Sequence, residues 1–114
     1  MTAVMSNKTR DLVPGTLDIL ILRTLSLRRM HGYGIAQHIE RTSADAIRVE
    51  KGSLYPALER LLRGGLVTAK WEQSPTGRRA RYYTITASGR RSLGQEISAF
   101  QEMIAAISRV LTTT

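Results

Sequence analysis

Cysteine is absent from the 114 residues of this chain, which excludes a disulfide framework and any thiolate-ligated metal centre. Histidine is scarce. His31 and His38 are the two copies, seven residues apart and without a third ligand cluster near them, so neither a metal site nor a bound cofactor is expected. No serine or histidine stands in a recognisable nucleophile–base–orienter context. Gly32-Tyr33-Gly34 is no phosphate loop, because no strand pattern precedes it and no Gly-Lys-Ser/Thr follows. No enzyme is expected. Long apolar runs are lacking too: the most apolar stretch, Leu17 to Leu27, is broken by Asp18, Arg23, Thr24 and Ser26 and is too short and polar to span a bilayer. Met1 to Arg10 lacks the apolar run of a secretory leader. These absences together fit a cytoplasmic protein.

Acidic residues are few as well. Nine Asp and Glu face seventeen Lys and Arg, for a formal net charge of +8, and fourteen of the seventeen cations are arginine. Arginine suits bidentate contact with phosphate and guanine, so a polyanionic partner follows from the charge, either nucleic acid or an anionic membrane surface. A membrane role is disfavoured because the last helical segment has no basic polar face.

The length suits one folding unit. Residues 1–11 read as a flexible basic arm. Pro14-Gly15 breaks the chain, Thr16 is the expected N-cap of a first helix, and Leu17 to about Arg28 is apolar nearly all round, as in a helix buried on more than one side. Met30 to Gly34 reads as a turn, and a second helix runs from Tyr33 to Arg41 with Ile35, Ala36 and Ile39 in a stripe. Thr42 to Glu50 reads as a turn or short extended piece. Ser53 is the expected N-cap of a third helix, with Pro56 in its first turn and Gly64-Gly65 as its stop. Leu54, Leu58, Leu61 and Leu62 form its apolar stripe; Tyr55, Glu59, Arg60 and Arg63 lie opposite.

Val67, Ala69 and Trp71 alternate with polar neighbours as in a half-buried strand, Trp71 reading as a core or hairpin anchor. Arg81 to Thr86 is a second strand, whose parity puts Tyr83 and Ile85 on one face. Ser74-Pro75-Thr76-Gly77 supplies the turn between them. Ala87 to Leu111 closes the chain as a long helix in which Leu93, Ile97, Phe100, Ile104, Ile107 and Leu111 are spaced 4, 3, 4, 3 and 4 apart, a seam of coiled-coil type expected to meet a second copy of the chain.

The fold class that follows is mainly α with a small β-hairpin: a winged helix-turn-helix over residues 12–86 and a long C-terminal dimerisation helix over residues 87–111. In such folds the second helix of the motif enters the major groove of double-stranded DNA. Ser53, Tyr55, Arg60 and Arg63 are offered on its solvent face. No acidic residue stands between Gln73 and Gln95, whereas Arg78, Arg79, Arg81, Arg90 and Arg91 all do; arginines on a flexible tip can reach phosphate or a narrow minor groove. The competing readings are a winged helix that docks on a protein, and a ligand sensor without specific DNA binding.

Leu17–Leu22 (LDILIL), Met30–Ile35 (MHGYGI), Gly52–Leu61 (GSLYPALERL), Gly65–Trp71 (GLVTAKW) and Gly77–Thr86 (GRRARYYTIT), with Gly89-Arg90-Arg91 after them, resemble the PadR family of bacterial transcriptional regulators over roughly residues 12–111. The resemblance implies a homodimeric, winged-helix repressor of the short branch with one C-terminal dimerisation helix. It implies a palindromic operator and release by a small aromatic or amphipathic compound. Carried over, it places Tyr33 and Gln37 against phosphate, Ser53, Tyr55 and Pro56 at the groove-facing start of the recognition helix, and Gly77, Arg78, Arg79 and Arg81 in the wing. Phe100 stands where members often carry a tryptophan that takes part in a ligand pocket between subunits.

Overall fold

The computed structural model describes residues 15–114; the arm expected over residues 1–11, and the first three residues of the unit expected to begin at 12, lie outside the described residues. Four helices and a three-stranded antiparallel sheet follow one another as α1 (Thr16–Leu27), β1 (Met30–His31), α2 (Gly32–Thr42), α3 (Lys51–Arg63), β2 (Val67–Gln73), β3 (Arg79–Ile85) and α4 (Ala87–Thr112). This is a winged helix-turn-helix extended by a long C-terminal helix.

The core forms where the apolar stripes of three helices meet one face of the sheet. Ile21, Leu22 and Leu25 of α1, Ile35 and Ile39 of α2, and Leu54, Leu58 and Leu61 of α3 are buried together with Val67, Tyr83 and Ile85. The expected parity of β3 holds, because Tyr83 and Ile85 both point into the core. Thr24, the one buried polar side chain of the described core, donates its hydroxyl to the Leu20 carbonyl at 2.8 Å.

Several local expectations are corrected. The stretch from Met30, read as a turn, contains a short strand: β1 pairs with β3 through Met30–Tyr83 and His31–Tyr82, so the hairpin becomes a sheet of order β1-β3-β2. Two residues of strand are too few to give a periodic signal. Helix α1 is capped by Gly15 in a left-handed conformation, with Thr16 already inside the helix. Helix α3 starts at Lys51 with Glu50 as its N-cap, the Glu50 carbonyl accepting from Ser53 and Leu54 N–H at 3.0 and 2.9 Å. Ser53 therefore lies in the first turn and does not cap it. Pro56 falls in the second turn, where the carbonyl left without a helical donor belongs to exposed Gly52 and is open to water.

The turn between α2 and α3 is built on side-chain acceptors. The Glu40 carboxylate accepts from Val49 N–H at 2.8 Å and the Ser43 hydroxyl from Ile47 N–H at 3.0 Å. Across the outer face of the sheet, Arg29 reaches Glu72 of β2 with two hydrogen bonds, of 2.9 and 2.5 Å, and its guanidinium lies 4.7 Å from the centre of the Tyr82 ring. The Arg29 hydrogen bond holds the Glu72 carboxyl below its usual range, against a smaller opposing effect of burial.

The step from sheet to α4 depends on Thr86 and Gly89. The Thr86 hydroxyl donates to the Gly65 carbonyl at 2.8 Å and accepts from Gly89 N–H at 2.9 Å, capping the helix. A Cβ at Gly89 would stand 2.1 Å from the Leu66 carbonyl oxygen and 2.7 Å from Ile85 Cγ1, so only glycine allows α4 to start this close to β2. Gly94, one turn on, faces open space. Gly89→Ala is expected to destabilise the fold by about 1–3 kcal/mol through overpacking. Gly94→Ala is expected to stabilise it by up to about 1 kcal/mol through helix propensity. Urea denaturation of the two variants checks both signs.

A folded-state carboxyl pKa that is depressed adds stability above the unfolded value, near pH 4.3, and that stability is lost as the pH falls through the folded value. A carboxyl-detected NMR titration is expected to show Glu72 titrating below an ordinary glutamate. Arg29→Gln should return it to the ordinary range.

Candidate nucleic-acid interface

The first turn of α2, the exposed face of α3 and the wing formed by β2 and β3 enclose a cleft of about 630 Å³. Its walls carry Tyr33, Tyr55, Glu59, Trp71, Arg79 and Arg81, a mixture of aromatic faces and charge.

Helix α2 begins at this cleft because His31 caps it: Nδ1 accepts from Gly34 N–H at 3.0 Å, and the imidazole packs edge-on to Tyr82 at 5.2 Å. One residue into the helix, Tyr33 is 66 % exposed, and Gln37, one turn on, donates its Nε2 to the Tyr33 hydroxyl at 3.1 Å. The two expected phosphate-supporting residues are thus joined at the surface. Tyr55 of α3 leans across onto α2, where a Cβ at Gly32 would meet its hydroxyl at 2.8 Å. The close approach needs glycine there, and it leaves Tyr55 43 % exposed, a contact between helices and a cleft wall at once.

The remaining expected residues divide into three groups. Ser53 and Pro56 are exposed near the start of α3. Gly77, Arg78 and Arg79 are exposed at the wing tip, whose turn is closed by Gly77 N–H to the Ser74 carbonyl at 2.8 Å and Ser74 N–H to the Arg78 carbonyl at 2.7 Å. Neither Arg78 nor Arg79 meets a carboxylate among the described residues; Arg79 lies 5.6 Å from the centre of the Trp71 ring. Arg60 and Arg81 are already engaged. Arg60 binds Asp18 of α1 at 2.8 Å, a hydrogen bond that raises its pKa further, and Arg81 binds Glu59 at 3.2 Å. Arg81 also stands 5.8 Å from the ring of Tyr83, whose hydroxyl pKa is pushed up by burial.

Two cleft residues were not among the interface residues expected from the sequence. Glu59 was visible on the polar face of α3, but its pairing across 22 residues with Arg81 has no local signal. Trp71, expected as a core or hairpin anchor, is 56 % exposed. Its alternation with Val67 and Ala69 is real, yet the buried core ends before the strand does, and Trp71 stands on the cleft wall beside Arg79.

The long helix also needs a correction. Leu93, expected in a seam between subunits, is 6 % exposed and belongs to the chain's own core, with Ile97 packed against it. From Phe100 onward the row is exposed: Phe100, Ile104, Ile107 and Leu111, with Met103 and Val110 beside them. No helix of the described residues is long and apolar enough to cross a membrane.

The chain matches the Transcriptional regulator PadR-like family over residues 21–95. It is 30 % identical over 94 residues to the transcriptional regulator Rv3488 of Mycobacterium tuberculosis, covering 82 % of this chain and 84 % of that one. A PadR family transcription regulator from Clostridium difficile superposes with a TM-score of 0.74 at 27 % identity, covering 85 % of this chain and 99 % of that one. A transcriptional regulator from Clostridium thermocellum shares the fold with a TM-score of 0.80 at 24 % identity, over 88 % and 97 % of the two chains. With its family match spanning the helix-turn-helix, the wing and the start of α4, this chain belongs to the PadR-like family of transcriptional regulators.

Proposed function

We propose that the chain is a sequence-specific double-stranded DNA-binding regulator, acting as a homodimeric repressor in the cytoplasm. The observation that carries this reading is the pair of arginines, Arg78 and Arg79, that meet no carboxylate among the described residues, on a wing that shares one cleft with the exposed face of α3. A recognition helix inserted in the major groove would present Ser53, Tyr55 and Pro56 early, while the wing arginines reach adjacent phosphates and Tyr33 and Gln37 support the backbone. Gly77 at the exposed tip keeps the approach open. Arg60, held by Asp18, orients α3 on α1 in this reading and is not a primary phosphate contact.

The exposed row on α4 supports the dimer. Apolar side chains at Phe100, Ile104, Ile107 and Leu111 recur at heptad spacing over three turns, and a partner helix buries such a seam. Two-fold symmetry would then set the recognition helices about 34–36 Å apart, one turn of B-DNA, and match a palindromic operator. A small aromatic or amphipathic compound seated beside Phe100 between the two α4 helices is the releasing ligand in this scheme.

Fluorescence anisotropy with a duplex from the gene's own upstream region and with a scrambled duplex tests the DNA reading. Operator affinity is expected to exceed scrambled affinity by about 10³-fold or more. Arg78→Ala/Arg79→Ala should reduce the salt slope by about 1.8, two phosphate contacts' worth. Binding to neither duplex would favour a protein partner for this surface.

Light scattering tests the dimer. Ile104→Glu/Ile107→Glu is expected to halve the mass seen for the wild type while keeping the circular dichroism of the winged domain. An unchanged mass would place the interface elsewhere.

A further inference from the structure

The wing carries three arginines, and they are not equivalent. Arg78 and Arg79 have no carboxylate near them among the described residues, whereas Arg81 donates to Glu59 of α3 at 3.2 Å. Glu59 is 49 % exposed on the cleft side of α3, the one acidic side chain among the residues that line the cleft, beside Arg78, Arg79 and Arg81. Exposed pairs of this kind contribute little to stability, and an acidic group beside a phosphate backbone opposes binding. Stability alone does not account for a carboxylate there.

We propose that Glu59 is a specificity-determining residue: it lowers affinity for arbitrary duplex by withholding Arg81 from phosphate. The inference rests on the DNA-binding reading above. Over an arbitrary sequence, a phosphate can recruit Arg81 only by displacing a carboxylate already bound to it. One ion pair replaces another, counterion release from that contact is lost, and Glu59 is left uncompensated next to the DNA. A base edge that offers an N–H to the Glu59 carboxylate, as cytosine N4 or adenine N6 does in the major groove, removes that cost. Arg81 is then free to take a phosphate. The pair thus makes one wing contact conditional on the bases beneath α3, while Arg78 and Arg79 bind regardless of sequence.

The test compares the wild type, Glu59→Gln, Arg81→Gln and the double variant on operator and scrambled duplexes across a salt series. For scrambled duplex, Glu59→Gln is expected to steepen the salt slope by about 0.9 and to tighten binding about eightfold at 0.1 M salt. The operator-to-scrambled ratio should fall. Arg81→Gln alone should leave the scrambled slope near that of the wild type, and in the double variant the gain should vanish. Thermal unfolding of each variant checks that the fold is intact. Unchanged scrambled binding in Glu59→Gln overturns the proposal, as does a gain that survives in the double variant, since the effect would then not pass through Arg81. A wild type that binds no duplex would instead overturn the DNA reading itself.

Discussion

The middle strand of the sheet, β3, is the constraint on which the remaining structure depends. It is paired on both edges, to β1 through Met30 and His31 and to β2 along its whole length. Its alternation sends Tyr83 and Ile85 into the helical core. A slip of one residue would turn both outward and place Tyr82 and Thr84 inside. Because β1 runs directly into α2, and Thr86 at the end of β3 caps α4, this one register sets where the first turn of α2 lies, how the wing is aimed and where the long helix departs.

Charge is distributed over that frame by the carboxylates. The sequence has an excess of arginine over acidic residues, yet the few acidic groups select which arginines are tied down. Asp18 fixes Arg60 between α1 and α3, Glu72 fixes Arg29 across the outer face of the sheet, and Glu59 fixes Arg81 between the wing and α3. On the wing, Arg78 and Arg79 meet no carboxylate among the described residues, unlike Arg81. The field around the chain is set by net charge, whereas the ion pairs decide which guanidinium groups of the wing are already occupied.

The long helix serves two purposes along its length. Its first two turns belong to the winged domain, with Gly89 against Leu66 and Leu93 in the core. Beyond Phe100 it leaves the domain and carries its apolar row into open surface. Heptad spacing is continuous through both parts, so periodicity alone merges an intramolecular contact with a surface suited to a partner helix.

The order of the four helices and the hairpin, the leucine stripe of α3, the parity of Tyr83 and Ile85, the basic wing and the heptad row were determined by the sequence, because each rests on local periodicity or composition that a reader of one chain can count. The helix caps at Gly15 and Glu50, the two-residue β1, the exposure of Trp71 and the capture of Leu93 by the core were decided by tertiary structure. So were the partners of Arg29, Arg60 and Arg81, which lie 43, 42 and 22 residues away in the chain. Contacts over such separations depend on how helices and sheet pack. Local propensity carries no record of which side chains that packing brings within a hydrogen bond of one another.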